Sequence, residues 1–339
     1  MLYARLLVQP TFEQRVLVVG NGPIAQRLAR ELNAAARAER ANPFRGTGYH
    51  IAGFIDDLPV DDEPALDPAH SLIRLIRRKH IDAVLVSEAA TLSPAVHEAL
   101  LDCRELNIPV NLLAETYARL TNRLPVEYAS RTLRLITGKE ADLNTRLYFA
   151  LKRALDVLVA SVGLVVLALL VPLVALGNAL TSPGPLFYRQ QRVGRAGQPF
   201  AVVKFRTMKP NAETDCAVWA CEDDNRVTPL GKWMRRAHID EIPQIINVLR
   251  GEMSMVGPRP ERPQFVGEIS RTLPIYRARH AVRPGITGWA QIHYPYGDSV
   301  EDARIKLEYD LYYIQNANLA LDVLIMLQTL PTMLLFKGQ

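Results

Sequence analysis

Short apolar runs alternate with helical patterns over residues 15 to about 125. The apolar runs occupy 15–20, 50–55, 81–86 and 108–113, and the helical patterns lie between them at 23–38, 69–79 and 93–106. Strands that alternate with helices in this way predict an α/β domain built on a parallel, doubly wound sheet. We expect an N-terminal arm over 1–14 and a linker over 126–145, where Arg, Thr, Gly, Glu and Asp occur without a clear period.

The pattern changes after the linker. Val157 to Leu180 are 24 residues without a charge, and a straight helix of that length would cover about 36 Å, enough to cross a bilayer's hydrocarbon core. Pro172 favours a bend, and basic residues flank the run on both sides, whereas a simple span has a positive bias on one side. These features favour a re-entrant helix over about 151–181, which enters and leaves by the same face. A complete span and a buried helix of a soluble domain remain alternatives.

We expect residues 146–339 to form a membrane-associated domain of mixed α/β, mainly helical structure. Its apolar end, 319–336, contains Pro331 and fits either a segment in the membrane interface or a helix packed against its own domain. The chain's net charge of +5 suits phosphates or an acidic lipid surface without choosing between them. Hydrophobic residues make up 49% and charged residues 22% of the chain, which excludes a disordered protein.

A glycine-rich turn follows the first predicted strand and opens the first predicted helix. Gly20, Gly22 and Ala25 form the pattern G-x-G-x-x-A, which permits a tight turn and the close approach of a phosphate to the helix N-terminus. Asp56, after the second strand, is the candidate acidic partner of a nucleotide-type ligand. A turn that serves packing alone is the alternative. Since no Tyr-x-x-x-Lys motif follows in this domain, dehydrogenase or dehydratase chemistry is poorly supported.

The second half of the chain has a denser set of charged motifs. Four basic motifs surround one acidic pair, Asp240 and Glu241, and their candidate substrate-binding residues are Lys204, Arg206, Arg226, Pro258, Arg259, Arg283 and Gly285. If 204–208 is a strand, Lys204 and Arg206 share one face. Arginine binds phosphate oxygens bidentately and a divalent cation can offset their charge, so this set predicts a pyrophosphate site.

The two adjacent carboxylates have different candidate roles. On an α-helix the side chains of Asp240 and Glu241 would point about 100° apart, which suits two roles at one site better than one shared proton. An aspartate can act as a covalent nucleophile on phosphorus. An acidic pair placed at a helix N-terminus by the helix dipole is the alternative.

The second half resembles the bacterial sugar transferase family, the monotopic polyprenyl-phosphate phosphoglycosyl transferases of exopolysaccharide and O-antigen initiation. The resemblance runs from about Leu151 to Phe336, through KRALD, TSPGPLFYRQQRVG, KFRTM, IDEIPQ, GEMSMVGPRP, RPGITGWAQ and KLEYDLYYI. It implies a re-entrant membrane helix, Mg²⁺ as cofactor, Asp240 as nucleophile and metal contact, and Glu241 as its assistant. The first half resembles the Rossmann-like domain that precedes the transferase in larger members.

The resemblance also implies a reaction. A sugar 1-phosphate would pass from a UDP-sugar to polyprenyl (undecaprenyl) phosphate through a phosphosugar-enzyme intermediate, with release of UMP. We expect membrane lipid as a partner, a homodimer as a candidate assembly, no nucleic acid, and a location at the cytoplasmic face of the bacterial inner membrane. A membrane-anchored enzyme that modifies nucleotide sugars and a non-catalytic scaffold remain alternatives, although a scaffold does not explain an acidic pair among arginines.

Overall fold

The computed structural model describes residues 14–39, 49–55, 68–87, 92–131, 143–209, 226–294 and 299–334. Asp56 of the predicted nucleotide-type site lies outside these residues. The chain divides into two units, residues 1–131 and 132–339.

The first unit is built on a four-stranded parallel sheet with the strand order β2-β1-β3-β4. The strands are β1 (Gln14–Val19), β2 (Tyr49–Ile55), β3 (Ala83–Val86) and β4 (Val110–Leu112). The helices are α1 (Pro23–Glu39), α2 (Pro68–Lys79), α3 (Pro94–Glu105), α4 (Leu113–Thr121) and α5 (Val126–Arg131). The parallel sheet predicted from the alternating pattern is confirmed.

Helices cover both faces of this sheet, as the alternation of side chains along β1 requires. Val16 and Val18 pack with α1 and α4 on one face. Leu17 and Val19 pack with α2 and α3 on the other. Because both faces are covered, β1 reads as a continuous apolar run. The unit also extends into the stretch predicted as linker, where α5 buries Val126 and Ala129.

The second unit begins with α6 (Leu143–Thr181), which starts before the predicted residue 151 and continues through Pro172. Ala160, Leu167 and Val174 are buried at intervals of seven residues, so one narrow stripe of α6 faces the unit. By length and composition α6 could cross a membrane: its most apolar 18-residue window has a mean hydropathy of 2.9, and only 17% of that window is buried. The core helix of a soluble domain would be mostly buried, so that alternative is disfavoured.

The rest of the second unit is mixed α/β. An antiparallel hairpin joins β5 (Phe187–Val193) to β6 (Pro199–Phe205), and a parallel pair joins β7 (Ser254–Val256) to β8 (Gly285–Thr287). The α-helices are α7 (Pro229–Arg236), α8 (Ile245–Arg250), α9 (Pro263–Thr272), α10 (Trp289–His293), α11 (Val300–Asn316) and α12 (Leu319–Leu334). Helix α12 buries Ile325 completely and exposes Leu324 and Leu327, so it packs on its own unit along one side only.

Candidate active site

The acidic pair lies on a short 3₁₀-helix, Ile239–Gln244, rather than on an α-helix. Three residues per turn separate the two side chains by about 120°, which corrects the expected 100°. Pro243 lies inside this turn and lacks the N–H that an α-helix would use, and His238 enters it in the left-handed conformation with φ 54°. His238 contributes its carbonyl, which accepts the Glu241 N–H at 3.2 Å. Both acidic residues are buried, with less than a tenth of each residue's surface exposed.

Two cations hold the Glu241 carboxylate. Lys204 Nζ donates to Oε1 at 2.6 Å, while Arg259 Nη2 donates to Oε1 at 2.7 Å and Nη1 to Oε2 at 3.3 Å. Burial alone would raise the pKa of Glu241, but the charges and hydrogen bonds of Arg259 and Lys204 hold it well below its usual range. Glu241 is therefore a fixed anion that organises the two cations.

Asp240 stands in contrast to its neighbour. Within the described part of the chain, its carboxylate has no hydrogen bond or ion pair, although it is only 8% exposed. Burial raises its pKa to about 6, against the lowering effect of the Lys204 charge. At neutral pH most molecules carry an ionised Asp240 that is poorly solvated, which makes this carboxylate a good nucleophile or cation ligand.

A buried amide fixes the strand that presents Lys204. Asn247 on α8 is fully buried; its Nδ2 donates to the Ala201 carbonyl at 2.8 Å and its Oδ1 accepts the Val203 N–H at 3.1 Å. The Asn247 amide thus makes the two hydrogen bonds that a neighbouring strand would otherwise make with this edge of β6. As α8 follows directly after the turn that contains Asp240, one amide ties the acidic turn to the strand of Lys204.

The loop that presents Arg259 is held by close backbone contacts. A Cβ on Gly257 would lie 2.4 Å from the Arg283 carbonyl, and one on Gly285 would lie 2.1 Å from the Gly257 nitrogen. Only glycine fits at either position. The Gly285 N–H donates to the Pro258 carbonyl at 3.0 Å. Gly285 and Pro258, predicted as substrate-binding, therefore shape this loop by packing.

The remaining predicted cations have other surroundings. Arg206 follows the end of β6 and is buried; its guanidinium donates to the Pro185 carbonyl at 2.7 Å and to Ser182, so it ties down the turn after α6 instead of joining Lys204. Burial and the neighbouring charges of Arg153 and Arg195 lower the pKa of Arg283, which marks a second basic region. The Arg226 carbonyl accepts the Lys209 N–H at 2.9 Å, which places Arg226 beside the segment that follows β6.

The glycine turn of the first unit has the predicted local form. Gly20 has φ 96°, and its N–H donates to the Ile55 carbonyl at 2.6 Å, which joins the end of β1 to β2. Ala25 is fully buried against the sheet, while a Cβ on Gly22 would meet open space. These contacts explain Gly20 and Ala25 by backbone conformation and packing. A nucleotide-type ligand at this turn remains a prediction.

Three residues that position the site through other residues were not predicted from the sequence. Asn247, Arg279 and Asp310 are buried and polar, and they hold the strand or loop that presents a cation to Glu241. Asp310 lies in KLEYDLYYI, which was used for the resemblance without a role for each residue. Arg279 and Asp310 are far apart in sequence, so spacing could not have revealed that they meet.

The side chains at the acidic pair could hold a divalent cation only together with oxygen ligands from the substrate. Both Glu241 oxygens already accept hydrogen bonds from cations, whereas Asp240 is open. Among the described residues, no three His, Cys, Asp or Glu side chains come together as a metal site. Mg²⁺ commonly binds one or two carboxylates together with substrate phosphates, and Asp240 could supply such a carboxylate.

A buried acidic pair in which two cations hold one carboxylate and leave the other open, in a unit with a long exposed apolar helix, suits a membrane-associated enzyme for phosphate-bearing substrates. Comparison with known families makes the class specific: residues 147–336 match the model of the bacterial sugar transferases. The chain belongs to this family.

Relatives with assigned names agree with this membership. A UDP-N-acetylgalactosamine-undecaprenyl-phosphate N-acetylgalactosaminephosphotransferase of Aeromonas hydrophila is 40% identical over 235 residues, covering 69% of this chain and 54% of the relative. A UDP-glucose:undecaprenyl-phosphate glucose-1-phosphate transferase of Xanthomonas campestris pv. campestris is 31% identical over 93% of this chain and 66% of the relative. An undecaprenyl-phosphate glucose phosphotransferase of Komagataeibacter xylinus is 34% identical over 96% and 60%. The chain thus spans between about half and two thirds of the length of these relatives.

Proposed function

We propose that this protein transfers a sugar 1-phosphate from a UDP-sugar to a polyprenyl phosphate. The observation that carries the proposal is that a buried Asp240 without a partner among the described residues lies next to a Glu241 held by Lys204 and Arg259. The names of the three relatives, each a sugar phosphotransferase acting on undecaprenyl phosphate, support the same reaction.

Asp240 acts as the nucleophile in a two-step transfer. Its carboxylate oxygen attacks the phosphorus that bears the sugar, the bond from that phosphorus to the bridging oxygen breaks, and UMP leaves. An oxygen of polyprenyl phosphate then attacks the same phosphorus, and the bond to Asp240 breaks to restore the carboxylate. The products are polyprenyl diphospho-sugar and UMP.

Lys204 and Arg259 bind and orient the donor. Their positive charges lie where the pyrophosphate of a UDP-sugar approaches Asp240, and they stabilise the charge that develops on the phosphoryl oxygens. Glu241 keeps both cations in place and prevents their direct pairing with Asp240. When bound, Mg²⁺ held by Asp240 and donor phosphates would offset the phosphate charge and help UMP to leave.

Membrane placement follows from the same chemistry. Nucleotide sugars are cytoplasmic, and the acceptor phosphate lies at the membrane surface, so we place the site at the cytoplasmic face of the inner membrane. Helix α6 then enters the membrane, bends near Pro172 and returns to the same face. Basic residues on both sides of its apolar run support this topology.

A donor panel tests the proposed reaction. Purified protein in detergent with undecaprenyl phosphate is given UDP-glucose, UDP-N-acetylgalactosamine and other UDP-sugars in turn, and UMP is measured with and without the lipid. We expect UMP and a lipid-linked diphospho-sugar in equal amounts with at least one donor. Conversion of the UDP-sugar without UMP would favour a nucleotide-sugar-modifying enzyme, and no conversion of any donor would favour a scaffold.

Cysteine labelling in intact cells tests the topology. Single cysteines are introduced near Thr145 and near Gly197, on either side of the apolar run 157–180, and cells are treated with a thiol reagent that cannot enter them. We expect neither position to be labelled until the cells are opened. Labelling of one position alone from outside would demonstrate a complete span and exclude the re-entrant helix. Pro172→Leu, which removes the proline from the helix, should shift the protein toward that spanning form.

A further inference from the structure

The Gly257–Pro260 loop, residues 257–260, presents Arg259 to Glu241 and has an unusual means of attachment. The Gly257 N–H donates to the Thr287 carbonyl at 2.9 Å, but Pro258 and Pro260 have no N–H, so the rest of the loop is anchored mainly through its carbonyl oxygens. Gly285 N–H donates to the Pro258 carbonyl at 3.0 Å, and Arg192 Nη1 donates to the Pro260 carbonyl at 3.1 Å. The carbonyl between them, that of Arg259 itself, needs a donor of its own.

A deeply buried arginine supplies that donor. Arg279 Nη2 donates to the Arg259 carbonyl at 2.9 Å, and Arg279 is only 6% exposed. The same Nη2 forms an ion pair with Asp310 Oδ2 at 2.8 Å. Tyr276 accepts a hydrogen bond from Arg279 Nη1 at its hydroxyl, and its ring lies 4.8 Å from the guanidinium carbon.

Burial of this pair is costly, so its position calls for an explanation. Asp310 is 1% exposed, and removing two charges from water usually cancels most of their attraction. A pair of apolar residues could fill the same volume without that cost. What apolar residues cannot do is donate a hydrogen bond to the Arg259 carbonyl. The buried ion pair therefore contributes little to stability, and its distinct effect is to fix the position of the Arg259 carbonyl.

We propose that Asp310 and Arg279 act as positioning residues that fix the backbone of Arg259 and so aim its guanidinium at the donor pyrophosphate. Asp310 holds Arg279, Arg279 holds the Arg259 carbonyl, and the Arg259 side chain reaches Glu241 at 2.7 Å. Neither Asp310 nor Arg279 needs to touch the donor. This inference rests on the proposed function, because it assumes that Arg259 binds a pyrophosphate.

A double-mutant cycle tests the pair. The variants Arg279→Lys and Asp310→Asn are made alone and together with Arg259→Ala, and kcat/KM for the UDP-sugar is compared with equilibrium binding of UDP. In the otherwise unchanged protein we expect each to lower kcat/KM and UDP affinity on the order of tenfold, since a misplaced binding group loses its advantage. In the Arg259→Ala background the same substitutions should cost less than about twofold, because their target has gone.

Glu308→Gln is the matched control. Glu308 is a fully buried acid on the same helix, paired with Arg304 at 2.8 Å, so its loss tests disruption of α11 without the contact to Arg259. It should leave UDP affinity unchanged. Equal losses in both backgrounds, or unchanged kcat/KM in Arg279→Lys and Asp310→Asn, would overturn the positioning role. If Arg279→Lys does not fold, Asp310→Asn decides alone. Wild-type protein that neither binds UDP nor releases UMP would refute the proposed function itself.

Discussion

Each unit of the protein contains a glutamate set between two cations, but their neighbours differ. In the first unit, Glu31 accepts the Tyr117 hydroxyl at 2.5 Å and pairs with Arg123 at 3.1 Å and Arg27 at 3.6 Å. The second acid there, Glu127, is paired as well, with Arg27 at 2.7 Å. In the second unit, Glu241 pairs with Lys204 and Arg259, while the adjacent Asp240 has no described partner.

This difference separates a structural charge cluster from a reactive one. The Glu31 side chain is 31% exposed, and its pairs join α1 to α4 and to the segment that follows α4. Glu241 is more deeply buried and occupies Lys204 and Arg259, so the Asp240 carboxylate is left to meet a substrate or a metal ion. A buried carboxylate without a partner is costly for folding, and such cost is typical of functional sites. The number of charges in a cluster therefore says less than whether one of them is unpaired.

The largest effect should come from the unpaired carboxylate. Asp240→Asn keeps the volume but removes the nucleophile, so we expect turnover to fall by at least about a thousandfold. Steady-state UMP release measures this loss of turnover, and a cooperative thermal unfolding transition of the purified variant shows that it is folded. Glu308→Gln makes the same chemical change at a buried acid away from the acidic pair, and its turnover should stay within about twofold of the wild type. Near-normal turnover of Asp240→Asn would remove the distinction between the two clusters.

Removal of divalent cations should have the next largest effect. Asp240 and donor phosphates would hold Mg²⁺ together, so chelation with EDTA should lower UMP release on the order of a hundredfold, and added Mg²⁺ should restore it. The thermal midpoint of the donor-free protein should hardly change, since the protein alone offers an incomplete metal site. Full activity in EDTA would contradict the metal role of Asp240.

Truncation of the clamping arginine should have an intermediate effect. Arg259→Ala loses a charge-assisted phosphate bond worth about 1.5–3 kcal/mol, so kcat/KM for the UDP-sugar should fall roughly ten- to a hundredfold. Arg27→Ala is the matched variant in the first unit, where Arg27 also pairs with a glutamate at 2.7 Å. Its kcat/KM should equal that of the wild type. Equal losses in both variants would mean that the two clusters cannot be told apart by function.

The smallest effect should follow disruption of the first cluster itself. Glu31→Gln weakens partly exposed ion pairs, which usually contribute about 0.2–1 kcal/mol, so the thermal midpoint of the first unit should fall only slightly. UMP release should not change. A large loss of transfer in this variant would show that the first unit takes part in the reaction.

The sequence was most informative where a local pattern has one structural solution. Within the run 15–20, four consecutive apolar residues, Val16 to Val19, predict a buried strand, and the parallel sheet confirms it. The acidic pair could be predicted because Asp240 and Glu241 are adjacent and lie among basic motifs. The 3₁₀ geometry around the pair differs from the expected α-helix because Pro243, inside the turn, has no N–H for an α-helical hydrogen bond.

Tertiary contacts decided what the pattern could not. Lys204 and Arg206 look equivalent in sequence, yet β6 ends between them, so one reaches Glu241 and the other the turn at Ser182. Arg279 and Asp310 belong to separate helices and meet only in the folded unit. Such long-range pairs leave no periodic signal in a single sequence.

Chemical trapping at Asp240 tests the central claim most directly. The protein is incubated with its UDP-sugar and Mg²⁺ without polyprenyl phosphate, then treated with borohydride, which reduces an aspartyl phosphate to homoserine, and its peptides are mapped by mass spectrometry. We predict homoserine at position 240 only when the donor was present, and its loss when polyprenyl phosphate is added first. A phosphosugar on another residue, or an unmodified Asp240 in protein that turns over normally, would contradict the account.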